Sequence, residues 1–276
     1  NIKPDNASDF FQWFYFRLEG QAGQRCRINI LNAGQAASLG GWQDYRVCTS
    51  WDRKDWFRTD THYQNGTLSF EITLQNNAVY FSYFTPYSHE QHLDLLGWAQ
   101  TDPRVVATTL GQTLDGNAMS LLQIGTSQQP QHKVWVIARQ HPGETMAEWF
   151  VEGFLKALLD SDNPQSQKLL QTTTFYVVPN MNPDGSIRGN LRTNAAGANL
   201  NREWQTPSME TSPEVFLVRE KMLQEGGDLF LDVHGDEALP YNFVAGCEGN
   251  PGYNDYHANL ESIFKNAYMQ ASPDFQ

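Results

Sequence analysis

Beyond about residue 104 the chain alternates apolar strands with amphipathic helices, and few folds can satisfy that rhythm. Residues 133–138 (Lys-Val-Trp-Val-Ile-Ala) and 174–178 (Thr-Phe-Tyr-Val-Val) are almost unbroken apolar runs, as strands covered on both faces must be. Residues 228–233 repeat the pattern between two aspartates. In 142–159, Met146, Phe150, Phe154 and Leu158, with neighbours Leu155 and Leu159, recur at helical spacing, and Pro142 suits a first turn. Further helices are predicted over 213–224 and 253–269. This order predicts an α/β arrangement, a mixed and mostly parallel sheet flanked by helices.

The front of the chain reads differently. Aromatic residues, 13% of the chain, crowd into its first hundred positions. Residues 10–18 are predicted as a strand buried on both faces. Residues 25–31 place Cys26, Ile28 and Ile30 on one side, the alternation of a half-buried strand. Asn65-Gly66 between two strand-like segments signals a tight hairpin, and 79–84 is another aromatic strand. Short strands at close spacing predict an antiparallel β-sandwich. The expected organisation is an N-terminal β-sandwich domain over 1–104 and an α/β domain over 105–276.

Charge and cysteine content narrow the function. A net charge of -12 argues against a nucleic-acid partner, because phosphate binding needs a basic face. Cys26, Cys48 and Cys247 are scattered and form no Cys-x-x-Cys pair, which favours a reducing compartment and a cytoplasmic location. No apolar run approaches the roughly 20 residues of a spanning helix, so no membrane association is expected. The chain starts at Asn1 rather than Met, so a few residues are expected ahead of it.

The chemistry-bearing residues gather at strand ends. His141-Pro-Gly-Glu144 follows the strand 133–138, which puts His141 at its carboxyl end and Glu144 in the first helical turn, where the helix dipole favours a carboxylate. His234 closes the strand 228–233. Singly, each has an ordinary explanation: a loop histidine, a helix-start carboxylate, a strand-end histidine bonded to backbone. Together they fall on the sheet edge where ligands of open α/β sheets bind, and two histidines with one glutamate form a catalytic-type zinc set that leaves a position to water. After the strand 174–178 come Asn180-Met-Asn182-Pro-Asp-Gly185, Arg188, Arg192 and Asn199-Leu-Asn201-Arg202. Arginine forks suit carboxylate binding, and a solvated loop fits this segment as well. Arg188 is a candidate for binding acidic side chains and equally suits a solvated position. His89-Glu-Gln-His92 lacks the spacing of a metalloprotease helix and is expected to be structural within the β-domain. Cys247 shows no sign of activation, and Ser50, Ser88 and Ser120 lack a nucleophile-elbow context.

The order His141-Pro-Gly-Glu144, Asn182-Pro-Asp-Gly185, Arg192, Asn201-Arg202, Asp232-Val-His234 resembles the zinc metallocarboxypeptidases. The front part, with residues 10–16, Trp56-Phe-Arg58 and Tyr83-Phe-Thr-Pro-Tyr-Ser88, is similar to the N-terminal domain of the cytosolic carboxypeptidase branch. That branch includes bacterial members and the eukaryotic enzymes that trim glutamate from tubulin. The resemblance implies one zinc ion per chain on His141, Glu144 and His234. It implies Arg192 as the group that polarises the scissile carbonyl and stabilises the oxyanion, and Asn201 and Arg202 as ligands of the peptide's terminal carboxylate. The implied reaction is hydrolysis of a C-terminal peptide bond of a peptide or protein by zinc-activated water. Two features depart from the family. Asn199 stands where many relatives carry an aspartate that orients a zinc histidine. The family's general-base glutamate belongs to a late strand, whereas Glu237, Glu248 and Glu261 lie in predicted loop or helix, so the general base is expected beyond Gln276 in a longer catalytic domain. Two rivals share some of these features: an aspartoacylase-type zinc amidohydrolase, which the aromatic front part disfavours, and a non-catalytic binding protein with a vestigial zinc site.

Overall fold

A computed structural model describes residues 1–276. The chain divides into two compact units, Asn1–Gly235 and Asp236–Gln276. No helix is long and apolar enough to cross a membrane.

The first unit carries two sheets. Strands β1 (Tyr15–Glu19), β2 (Arg25–Ile30), β3 (Arg46–Ser50), β4 (Phe57–Gln64), β5 (Thr67–Thr73) and β6 (Ala78–Ser82) pair antiparallel in the single order β1-β6-β3-β4-β5-β2. The β4–β5 hairpin turns at Asn65 and Gly66, both with positive φ (50° and 78°), the geometry that matches strand twist. Strand β2 alternates as its sequence predicts. The core under this sheet is aromatic: Trp42 meets Tyr45 and Tyr83 edge-on at 5.4 and 5.5 Å, and Phe70 packs on Phe81 at 5.0 Å.

Two expectations for the front part need correction. Only the end of 10–18 is a strand, and β1 is half-exposed rather than covered on both faces. The residues before it are held by a side chain: buried Gln12 donates to Ser38 O (2.8 Å) and Tyr83 Oη (2.9 Å) and accepts from Ser38 N (2.7 Å). Nor is 1–104 entirely strand and loop. Helix α1 (His89–Ala99) opens with a capping box between Ser88 and Gln91, so His89 and His92 are helical.

In the second sheet, β7 (Val105–Gln112), β8 (Ala118–Ile124), β9 (His132–Ala138), β10 (Thr173–Val178) and β11 (Leu229–Val233) lie in the order β11-β9-β10-β8-β7. The strands foreseen from apolar runs, β9, β10 and β11, are mutually parallel, and the β7–β8 hairpin adds antiparallel neighbours, so the sheet is mixed. Every residue of β10 is buried. Helix α2 (Met146–Leu158) covers one face through Ala147, Val151, Leu155 and Leu158. The expected Leu155, Leu158 and Leu159 are buried, but in the first half of the helix Ala147 and Val151 take the core positions and Phe150 is exposed. Helices α3 (Pro164–Thr172) and α4 (Pro183–Arg188) follow, and α5 (Pro213–Glu225) covers the other face, placing Val215 and Val218 with Trp135, Ile137 and Tyr176. Strand β11 pairs with β9, and its Leu229 and Phe230 are exposed where the apolar run predicts covered residues.

A charged cluster crosses the interior. Glu148 of α2 is fully buried. It accepts from His92 Nδ1 (2.8 Å), Asn180 Nδ2 (3.1 Å) and the Arg139 guanidinium. Arg139 also donates to Tyr87 O (2.9 Å) and Pro142 O (3.0 Å). His92 is thus structural, as expected, but within a helix.

The second unit contains α6 (Asp255–Ala271), capped by Asn254. Glu261 pairs there with Lys265 and accepts from Cys247 N (3.0 Å), so neither it nor the loop residue Glu248 ends a strand.

Glu148→Leu would strand the Arg139 charge in the interior. Its expected cost is about 3–5 kcal/mol, read as a lower urea midpoint; a midpoint equal to the parent's would refute the structural role of the cluster.

Candidate metal centre

Strand β9 ends at Ala138, and the chain leaves it through Arg139 in the left-handed region (φ 58°). Residues 141–144 then form a turn closed by Glu144 N donating to His141 O (3.1 Å). Helix α2 starts only at Met146, so Glu144 precedes the N-cap residue Thr145 and is not in the first helical turn. The turn is held from two sides: Arg139 binds Pro142 O, and Gly143 N donates to Leu191 O (2.9 Å).

The Asn182-Pro-Asp-Gly185 motif supports this turn from below. Asn182 caps α4 by accepting from Gly185 N (3.0 Å) and donates to Gln140 O (3.0 Å). Buried Asp184 accepts from Thr113, Asp115 N and Asn117. At Gly185 a Cβ would lie 2.4 Å from Pro142 Cγ and 2.6 Å from Thr193 O, so only glycine lets α4 approach so closely.

His141, Glu144 and His234 converge, their ligand atoms all within 4.8 Å of one another. Both rings turn Nδ1 inward: His141 Nδ1 lies 2.8 Å from Glu144 Oε1, and His234 Nδ1 lies 2.8 Å from Glu144 Oε2. Both turn Nε2 outward to an oxygen, His141 to Asn199 Oδ1 (3.1 Å) and His234 to Asp232 Oδ2 (3.0 Å). An outer acceptor at Nε2 selects the tautomer that leaves the Nδ1 lone pair for a cation. Asp232 and His234 share a face because they are two apart at a strand end. Gln140 bridges outward, donating to Asp232 (2.6 Å) and accepting from Trp204 Nε1 (2.8 Å).

The electrostatics favour positive charge here. Burial pushes the Glu144 carboxyl up, but protons shared from both Nδ1 atoms, in the place a cation would take, outweigh it and hold it at about 2. Burial lowers His234, yet its bonds to Asp232 and Glu144 raise it to about 10. The second Asp232 oxygen is buried without a hydrogen-bond partner and adds negative potential beside the ring. Two imidazole nitrogens, each braced from behind, and a carboxylate fit a zinc ion.

The remaining predicted residues surround this group to different degrees. Asn201 comes within 3.5 Å of His234 Nε2 through its side-chain amide, and its backbone N–H donates to Asn199 Oδ1 (3.1 Å). Arg202 is exposed, its guanidinium on Asn201 O (3.0 Å). Arg192 makes no hydrogen bond to the three residues, though its neighbour Leu191 accepts from Gly143 N of the turn. Arg188 is held in a two-pronged pair with Asp115, 2.7 Å on each arm, and is no free acid-binding residue. Gln140 and Trp204 match no sequence motif, and the i, i+2 spacing of Asp232 and His234 is the one signal of their partnership.

Known proteins resemble the chain along almost all of its length. Residues 1–84 match the model of the cytosolic carboxypeptidase N-terminal domain, and residues 90–272 match that of the zinc carboxypeptidases. An uncharacterised protein of Zymomonas mobilis is 47% identical over the whole chain, which spans 72% of its length. Cytosolic carboxypeptidase 1 of Danio rerio is 30% identical over 88% of the chain, which spans only 25% of that relative. A Pseudomonas aeruginosa metallo-carboxypeptidase, solved with (2-guanidinoethylmercapto)succinic acid, superposes with a TM-score of 0.97 at 45% identity, covering all of this chain and 73% of that one. The chain belongs to the zinc carboxypeptidase family. Within it, the front match places the chain in the branch that carries a cytosolic carboxypeptidase N-terminal domain.

Asn199→Ala would leave the His141 ring unbraced. Zinc affinity, measured by competition with a chromogenic chelator, is expected to fall about 10–100-fold; an unchanged affinity would show that Asn199 does not orient the ring.

Proposed function

We propose that this chain carries the zinc-binding and carboxylate-binding groups of a metallocarboxypeptidase that hydrolyses C-terminal peptide bonds of peptides or proteins. The observation that carries this reading is the pair of histidines with Nδ1 turned inward on Glu144 and Nε2 tied outward. His141, Glu144 and His234 would hold a single zinc ion. When bound, zinc supplies a Lewis acid that polarises a carbonyl and lowers the pKa of water.

The chain's own groups do the rest. Asn199 and Asp232 keep both rings in the metal-accepting tautomer. The Arg192 guanidinium stabilises negative charge on the carbonyl oxygen as the peptide bond is attacked, an interaction stronger in the transition state than in the ground state. Asn201 and Arg202 take the substrate's terminal carboxylate, one by amide N–H and one by a charge-assisted fork, which limits cleavage to the last bond. The dicarboxylate bound by the Pseudomonas aeruginosa relative supports an anion-accepting site. The break between the two sheets, from Ser82 to Val105, supports an N-terminal domain followed by a catalytic domain. Three free cysteines support action in the cytoplasm.

The test is a panel of N-blocked peptides varied at the last residue, offered to the zinc-loaded protein at its natural length. Phenanthroline should stop cleavage and added zinc restore it; turnover that survives chelation would sink the zinc reading. Arg192→Ala should lower kcat by about 10²–10³-fold, the cost of removing one oxyanion donor. Arg202→Ala should mainly raise KM, and C-terminally amidated peptides should not be cleaved. Efficient cleavage of the amides would refute carboxylate recognition by Asn201 and Arg202.

A further inference from the structure

Arg192 sits in a loop, residues 190–194, with no helical or ladder hydrogen bonds to fix it. Its backbone is fixed instead by a residue almost two hundred positions away. The Asp5 carboxylate, itself buried, accepts from three consecutive N–H groups, those of Leu191, Arg192 (2.9 Å) and Thr193 (2.9 Å), and from Thr193 Oγ1 (3.0 Å). Buried N–H groups without such an acceptor carry the full cost of desolvation, so this carboxylate decides where the loop rests. The neighbouring segment follows. Asn6 donates to Ala195 O (2.6 Å), and a Cβ on Gly197 would lie 2.3 Å from Ala7 O.

The same segment also meets the arginine's side chain. Asp5 N donates to Phe10 O (2.8 Å), closing residues 5–10 into a loop. That closure puts the Phe10 ring under the Arg192 guanidinium, 5.7 Å from ring centroid to Cζ. A ring face attracts the cation while leaving the in-plane N–H groups unused. Phe10 is 41% exposed, more than a core residue would be, so the ring serves this contact rather than the interior.

We infer that the N-terminal loop 5–10 sets the pose of Arg192: Asp5 positions its backbone and Phe10 its guanidinium, both as positioning residues for the oxyanion-stabilising arginine. The inference rests on the role of Arg192 proposed above. It makes the front of the chain a working part of the site rather than a separate recognition module.

The experiment uses the zinc-loaded protein at natural length and the best-cleaved peptide of the panel, with four variants: Phe10→Leu, Phe10→Tyr, Asp5→Asn and Arg192→Ala. Phe10→Leu should lower kcat about 2–5-fold with KM unchanged, and Phe10→Tyr should restore it, because an exposed cation–π contact is of that size and any aromatic face supplies it. Asp5→Asn should lower kcat about 10–100-fold, the usual penalty for a small misplacement of a catalytic group. A second reading avoids turnover: affinity for a phosphonate peptide analogue, which mimics the tetrahedral oxyanion, should fall by the same factors, while zinc content stays at the parent value. Parent-like kcat and phosphonate affinity in Phe10→Leu and Asp5→Asn, beside a slow Arg192→Ala, would overturn the inference alone. A parent-like Arg192→Ala would overturn the role of the arginine itself, and the inference with it.

Discussion

The buried pair between Arg139 and Glu148 is the constraint on which the metal turn depends. A charge pair in a dry interior is tolerated only when every remaining donor and acceptor is used. Here the spare donors of Arg139 go to Tyr87 O and Pro142 O, and the spare capacity of Glu148 goes to His92 and Asn180. Meeting that demand ties helix α1, the ends of β9 and β10, helix α2 and the 141–144 turn into one network. The turn therefore inherits the rigidity of the core. His141 and Glu144 point where they do because Pro142, between them, is held by its carbonyl.

The outer supports of the group follow a common rule with unequal strength. His234 leans on a carboxylate, Asp232, whereas His141 leans on a neutral amide, Asn199. An ionised partner makes an imidazole a better donor to a metal than an amide can. The two histidines of one site are thus tuned apart, with the stronger electrostatic brace on the half-exposed one.

Much of this was legible in the residues. The parallel strands announced themselves as apolar runs, and the three converging residues followed from ending those strands on one edge. The Asn65-Gly66 hairpin was equally plain, because only residues tolerant of positive φ turn that way. What escaped had physical reasons. Residues 10–14 look like a strand by composition, but Gln12 takes backbone partners that a ladder would otherwise claim. Helix α1 was hidden by an aromatic neighbourhood, although Ser88 and Gln91 spelled out its cap. Glu144 lies ahead of the helix that periodicity predicts for it, because Arg139 holds 141–144 out of that helix. The Asp5 anchor had no local signal at all, since its partners are 186 to 188 positions away.

That separation has a kinetic meaning. Contacts between distant parts of a chain form only after the loop entropy of closing them has been spent, and they slow folding in proportion to their share. The β9–α2–β10 segment can assemble from neighbours close in sequence. The bed of Arg192 cannot, because it needs the first ten residues and residues 190–197 to meet. On a ribosome the former emerge long before the latter and must wait for them. Seating the arginine therefore closes a far longer loop than any contact within the β9–α2–β10 segment, and its bed carries the larger entropic cost.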